Sequence, residues 1–438
     1  MESFEPVWKR RVEKLMVVAA AGAGAVLLFV LALWTYMSAT ATPVHPDPDA
    51  VPSVASPEAP PEWAEAAGES GAIARTALTS QNLPGLSVAV GAGGRLVWAG
   101  GFGWADVEAR VPVTPGTQFR IGTASTVLTS AGVGWLLDHD RLRLDAPIDA
   151  LVPAFPRQTS PVTLRQVMAH LAGIGSDGGD EGPLLARHCT GPADALPAVA
   201  ERPLLFDPGT AYRFSNYGWI AVSAAVETAA GEPFDRFMRN VVFEPIGMDG
   251  TRPDRATDDI ADRAASYFPR FAADPRYGLD PMRPIDLSCY AGAGAFLSTA
   301  PDLVRFALAM NAGTVVRPGT VAELRTSQRL PSGEETGYGL GWDLEDVTLG
   351  GAPTRLAGHD GDVLGGPVAS LMTFPDGLVV AVLSNASYAD TFGIGLAIAQ
   401  AFTKGTVNTE GTEDTEGTEG TKSTEGAEGT ERASVARP

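Results

Sequence analysis

Lysine is almost missing from this chain. Among 438 residues only Lys9, Lys14, Lys404 and Lys422 are lysines, so everything between Lys14 and Lys404 has none. A lysine general base is thereby excluded from any domain built there, and arginine cannot replace it because the guanidinium stays protonated. Cysteine is nearly absent too. Cys189 and Cys289 are the only two, with no CxxC and no histidines spaced to join them, which argues against a zinc site. No metal and no cofactor is expected. Charged residues are only 19% and the net charge is −20, so the basic footprint that nucleic acid requires is missing as well. An acidic chain of this kind reads as a domain kept in solution by charge.

What is present begins with a hydrophobic run. Met16 to Met37 is a 22-residue stretch without charge, long enough to cross a bilayer as a helix. Lys9, Arg10, Arg11 and Lys14 precede it, and the next basic side chain is Arg75. The positive-inside bias therefore predicts a cytoplasmic stub at 1–15, a single transmembrane helix at 16–37 and everything later outside the cytoplasm, with Trp34 and Tyr36 in an outer interfacial belt. The competing reading is a cleaved signal peptide, since Ala39-Thr40-Ala41 is a weak cleavage site; the length of the run favours the anchor. Seven prolines between Thr42 and Pro61 predict a semi-extended spacer over 38–62. The Thr-Glu-Gly repeats of 403–438 offer almost nothing apolar to bury and predict a disordered tail.

The remainder, 63–402, is long enough for one large domain with a sizeable core. Strand-like runs open it at Leu86–Ala92 and Arg95–Gly101, joined by Gly93-Gly94. Others close it at Tyr338–Leu344, Arg355–Asp360, Ala369–Phe374 and Leu378–Leu383, before an apolar helix at Phe392–Phe402. Helical patterns fill the middle at Ala124–Asp138, Leu164–Leu171, Trp219–Ala230, Pro233–Val241 and Pro301–Met310. The expected fold class is α/β (α+β): an antiparallel sheet built from N- and C-terminal strands and flanked by helices, with an inserted, mainly helical subdomain at about 147–330.

Ordered local motifs then carry a resemblance across nearly all of this domain. Pro84–Val90, Phe119-Arg120-Ile121-Gly122, Thr163–Gly173, Phe206-Asp207-Pro208-Gly209, Phe214–Gly218, Tyr338-Gly339-Leu340-Gly341-Trp342 and Gly358-His359-Asp360-Gly361 follow one another in sequence. Together they resemble the beta-lactamase-related serine hydrolases, the group of class C beta-lactamases and penicillin-binding proteins, and within it the serine beta-lactamase-like proteins. That family's chemistry uses Ser-x-x-Lys at a helix start, Tyr-x-Asn, and Lys-Thr-Gly or His-x-Gly on a strand. A high-pKa hydroxyl must lose its proton to lysine or tyrosinate, and backbone N–H groups then hold the oxyanion.

Carried over by motif, the nucleophile position is Thr123, the lysine position Thr126 and the tyrosine position Phe214. Asn216 is retained, the strand triplet is His359-Asp360-Gly361, and Asp362 stands where the family has a small residue whose N–H serves the oxyanion. A carboxylate there opposes developing negative charge. Asn216, His359, Gly361, Asp362 and Ser125 are the candidate substrate contacts. Ser125 is a rescue nucleophile or, more simply, a buried structural serine. Tyr212 either leans into the gap left by Phe214 or serves the core or a loop. His170 reads as structural. His359 either holds a substrate carboxylate or hydrogen-bonds within its strand. On an exported domain, Cys189 and Cys289 either form a disulfide or remain two buried thiols.

Three functions follow as expectations. The first is a pseudoenzyme that keeps the cleft and has lost turnover, binding a cell-wall peptide, a lipid headgroup or a partner protein. The second is a slow hydrolase using Thr123 or Ser125. The third is a purely architectural exported domain.

Overall fold

The computed structural model describes residues 7–410 apart from 58, 156–160, 177–182, 201–202, 257, 259 and 273. Helix α1, Val7–Ala39, contains the apolar stretch Lys14–Ala39, long and apolar enough to cross a membrane, and its most hydrophobic window is not buried by the rest of the chain.

The stretch expected to be a free spacer is packed on the domain instead. Arg270 donates to the Thr40 carbonyl and hydroxyl, Val44 N donates to Asn82 Oδ1 at 2.8 Å, and buried His45 bonds Pro84 O at 2.8 Å. Strand β1, Ser53–Ala55, then pairs antiparallel with residues 100–102. Helix α2, Ala64–Ser80, follows, a helix that its Ala- and Gly-rich sequence did not announce.

The hairpin signal is correct: β2, Gly85–Ala92, and β3, Arg95–Asp106, flank Gly93 and Gly94, both at positive φ. Helix α3, Ser125–Asp138, helix α4, Asn216–Ala230, and helix α5, Ala300–Asn311, lie between this hairpin and the C-terminal strands. The last strands are β4, Asp343–Leu349, β5, Ala352–Val363, β6, Gly366–Thr373, and β7, Val379–Ser384. Sheet order is β1-β3-β2-β7-β6-β5-β4, antiparallel throughout, with Val111–Pro112 attached to β3. The central seam joins the two chain ends, β7 to β2, with Ala381 opposite Ala89.

Both sheet faces are covered, which is why these strands read as continuous apolar runs. Val88, Val90, Val380 and Val382 face α2 and the terminal helix α6, Thr391–Glu410, packing with Leu78, Ile394, Ile398 and Phe402. Ala89, Ala99, Ala381 and Leu383 face α5 and the helical layer, including Val304 and Ala307. Small residues on that face bring α5 close: a Cβ on Gly91 would stand 2.7 Å from Val304 Cγ1. Each fully buried Val or Leu contributes roughly 1.5–3 kcal/mol.

Two further expectations are corrected. Tyr338–Leu344 is not one strand; Gly337 and Gly341 adopt φ of 71° and 95°, turn the chain, and delay β4 to Asp343. The tail does not begin at 403, because α6 continues to Glu410; the repeats from 411 to 438 lie outside the described residues. Cys189 and Cys289 are disulfide-bonded, with Cα atoms 4.8 Å apart, tying two segments of the helical layer.

Candidate functional site

The site lies where the start of α3 meets β5. A 3-10 turn, Gly122–Ala124, leads into α3, and Gly122 sits at φ 52°. A side chain there would collide with the Asp362 carbonyl, so glycine is what allows the helix to abut the strand. Gly361 does the same from the other side, since a Cβ on it would collide with Ile121 O.

Thr123 is nearly buried and its hydroxyl is fully engaged. It donates to Asp360 O at 3.1 Å and accepts from Asp362 N at 3.0 Å. The hydroxyl therefore clips α3 to β5, and the N–H that would stabilise an oxyanion is the one it occupies. Both of its hydrogen-bond partners are backbone groups, and neither can accept a proton as a base.

Thr126 lies one turn further on, completely buried, its hydroxyl without a hydrogen-bond partner among the described residues. Phe214, at the tyrosine position, packs tilted against His170 with ring centres 4.3 Å apart. His170 is buried at φ 59°, accepts Ser215 N–H at Nδ1 (3.0 Å), and is held neutral: burial, reinforced by His359, lowers its pKa well below the usual value. Its role is to shape the loop before α4. Tyr212 packs on the His170 and Tyr338 rings and does not line the cavity.

A cavity of about 210 Å³ opens beside Thr123. It is lined by Thr123, Phe214, Asn216 and Asp362 among the expected residues, with Leu185, Leu287 and Tyr290 supplying apolar walls. Asn216 begins α4, capped by Ser215, and its Oδ1 is buried without a hydrogen-bond donor. Asp362 is exposed at the mouth. Burial raises its pKa, His359 opposes that, and Asp343 adds to it.

Three expected substrate contacts are not in the cavity. Ser125 is fully buried and accepts Phe296 N–H at 3.3 Å, so it serves the core and is no rescue nucleophile. Gly361 is a close-approach position. His359 is buried, with Nε2 3.0 Å from the Tyr338 hydroxyl and Nδ1 2.5 Å from Asp360 O. Both ring nitrogens are therefore occupied, Nδ1 by Asp360 O and Nε2 by the Tyr338 hydroxyl, leaving none for a substrate carboxylate.

Tyr338 lies in one of the segments that carry the resemblance, but the motif assigned it no role. It brings a hydroxyl to the back of the site from the Tyr338–Trp342 turn, next to His359 and Thr126. It is no substitute base. Burial, Asp343 and Tyr212 push its pKa well above the ordinary 10, so the tyrosinate is strongly disfavoured. Its sequence signal was only a tyrosine between two glycines, and its partners are distant in the chain. Among the described residues, no group of three or more His, Cys, Asp or Glu side chains is placed to hold a metal ion.

Comparison with known proteins agrees with this architecture. The Beta-lactamase family model matches residues 71–403. The human serine beta-lactamase-like protein LACTB, mitochondrial, is 24% identical over 424 residues, covering 73% of this chain and 77% of that protein. Penicillin-binding protein 4 of Amycolatopsis lactamdurans is 29% identical over 339 residues, covering 72% and 84%. Among solved structures, the octameric penicillin-binding protein homologue from Pyrococcus abyssi superposes with a TM-score of 0.63 at 25% identity, covering 75% of each chain. The sheet seam, the helix start at Thr123 and the matched span together show that this chain belongs to the beta-lactamase family, close to the serine beta-lactamase-like and penicillin-binding proteins.

Proposed function

We propose that this protein is a pseudoenzyme of its family: a cleft that binds a small ligand, such as a cell-wall peptide fragment, without turning it over. The domain is held by α1 at a membrane, with the N-terminus cytoplasmic and the cleft on the outer side. The observation that carries the reading is the Thr123 hydroxyl, bonded only to Asp360 O and Asp362 N. Thr126 and Phe214 stand where proton acceptors are needed, and the Tyr338 hydroxyl behind them is held protonated by burial. General-base assistance is worth roughly 10²–10⁴ in rate, so its loss removes most of the family's turnover.

The test uses full-length protein in detergent, treated with a fluorophosphonate and a labelled penicillin. The expected result is no acyl-enzyme by intact mass. A slow hydrolase working through Thr123 would label stoichiometrically and lose the label in Thr123→Val, and that outcome would replace the pseudoenzyme reading.

A further inference from the structure

The cleft is chemically one-sided. Among the described residues lining it, Asp362 alone is charged, and none is a lysine, arginine or histidine. The amide oxygen of Asn216 is buried there with no donor to satisfy it. Phe214 and Tyr290 present aromatic surface, and Leu185 and Leu287 complete apolar walls. The two groups that would greet an incoming oxyanion, the Thr123 hydroxyl and Asp362 N–H, are hydrogen-bonded to each other.

A carboxylate ligand entering this space would meet the like charge of Asp362 with no lining cation to compensate. A protonated amine meets the opposite situation. Its charge is balanced by Asp362, and aromatic faces attract cations. We infer that the cleft takes a primary ammonium group carried on an apolar body: an aralkyl amine or the N-terminal ammonium of a short peptide. The ammonium sits at Asp362, and the body lies on Phe214, Tyr290 and Leu287. The inference rests on the binding reading above and names its ligand class.

The test is isothermal titration of the detergent-solubilised full chain at neutral pH with three near-isosteres: phenethylamine, phenethyl alcohol and hydrocinnamate. The amine should bind most tightly and the carboxylate least. Asp362→Asn should weaken the amine about ten-fold or more, the scale of a charge pair in a partly desolvated site. Its effect on the alcohol should be small. Phenylalaninamide-capped dipeptides with free and acetylated N-termini provide the peptide arm; acetylation should abolish binding. Binding of hydrocinnamate as tight as that of the amine overturns the inference, as does amine binding unchanged in Asp362→Asn or no amine binding at all. The isostere ranking on unmodified protein stands even where the variant folds poorly. Fluorophosphonate labelling on the same preparation separates the two claims. Labelling defeats the pseudoenzyme reading whatever the amine does, whereas absent labelling with absent amine binding defeats only the ligand assignment.

Discussion

Replacing Thr123 with valine removes a hydroxyl while keeping the side chain's shape, and the structure gives opposite expectations for a nucleophile and for a clip. Catalytic residues are commonly held at some expense to the fold, so deleting one is often neutral or stabilising. Thr123 instead bonds two backbone groups of β5. Asp360 O keeps a second donor, His359 Nδ1, and loses only one bond, worth about 0.5–1.5 kcal/mol. Asp362 N–H loses its acceptor at the helix–strand junction, at about 1–2 kcal/mol. Thr123→Val should therefore lower the unfolding free energy by about 1.5–3.5 kcal/mol. Thr123→Ser keeps both bonds and gives up a methyl, about 1 kcal/mol or less. Urea unfolding followed by tryptophan fluorescence, with intact-mass labelling on the same samples, reads both properties. A valine variant as stable as the parent, or more so, would refute the clip.

Other outcomes follow from the same geometry. The rebuilt triple variant Thr123→Ser, Thr126→Lys, Phe214→Tyr should acquire fluorophosphonate labelling, and adding Asp362→Gly should strengthen it by removing the charge beside the oxyanion site; no labelling in either would mean that more than these groups has been lost. Replacing Cys189 and Cys289 by serine should cost up to about 4–5 kcal/mol, because the bond closes a loop of 100 residues in the unfolded chain; chemical denaturation of the paired variant checks it. Burial pushes Asp360 up to about 7, against its Ser370 hydrogen bond and with Asp343 adding to the rise. A carboxyl raised in the folded state binds protons more tightly there, so its stabilisation is present at low pH and is lost as pH rises from about 4 to about 7. Asp360→Asn should flatten that part of the stability–pH curve relative to the parent. Carbonate extraction should leave the full-length protein in the membrane fraction, and a mature form beginning near Thr42 would defeat the anchor.

Much of the fold was legible because its signals are local. The strand runs are apolar on both faces, and Gly93-Gly94 and the Gly377 turn mark their ends with residues suited to positive φ. The positions carried over from the family resemblance, Thr123, Phe214, Asn216 and Asp362, line one cavity. The misreadings share a cause: the deciding partner was far away in sequence. Proline-rich 38–62 reads as a spacer until Ser53–Ala55 finds residues 100–102 to pair with. His359 reads as a ligand-facing survivor until Tyr338 arrives 21 residues from it in the chain and takes its free nitrogen. Ser125 sits in a motif, yet α3 is buried nearly all round, and helix rotation turns that hydroxyl to Phe296.

The packed segment between α1 and the domain sets a working height. A free flexible tether of the 25 residues at 38–62 would let the domain wander by about 28 Å, the root-mean-square span of such a chain. With Thr40 tied to Arg270, Val44 to Asn82 and Ser53–Ala55 added to the sheet, that slack is gone. In the anchored arrangement proposed above, the cleft is carried close to the end of α1 rather than on a slack tether. Its search is then lateral rather than volumetric: it samples what diffuses along the membrane surface.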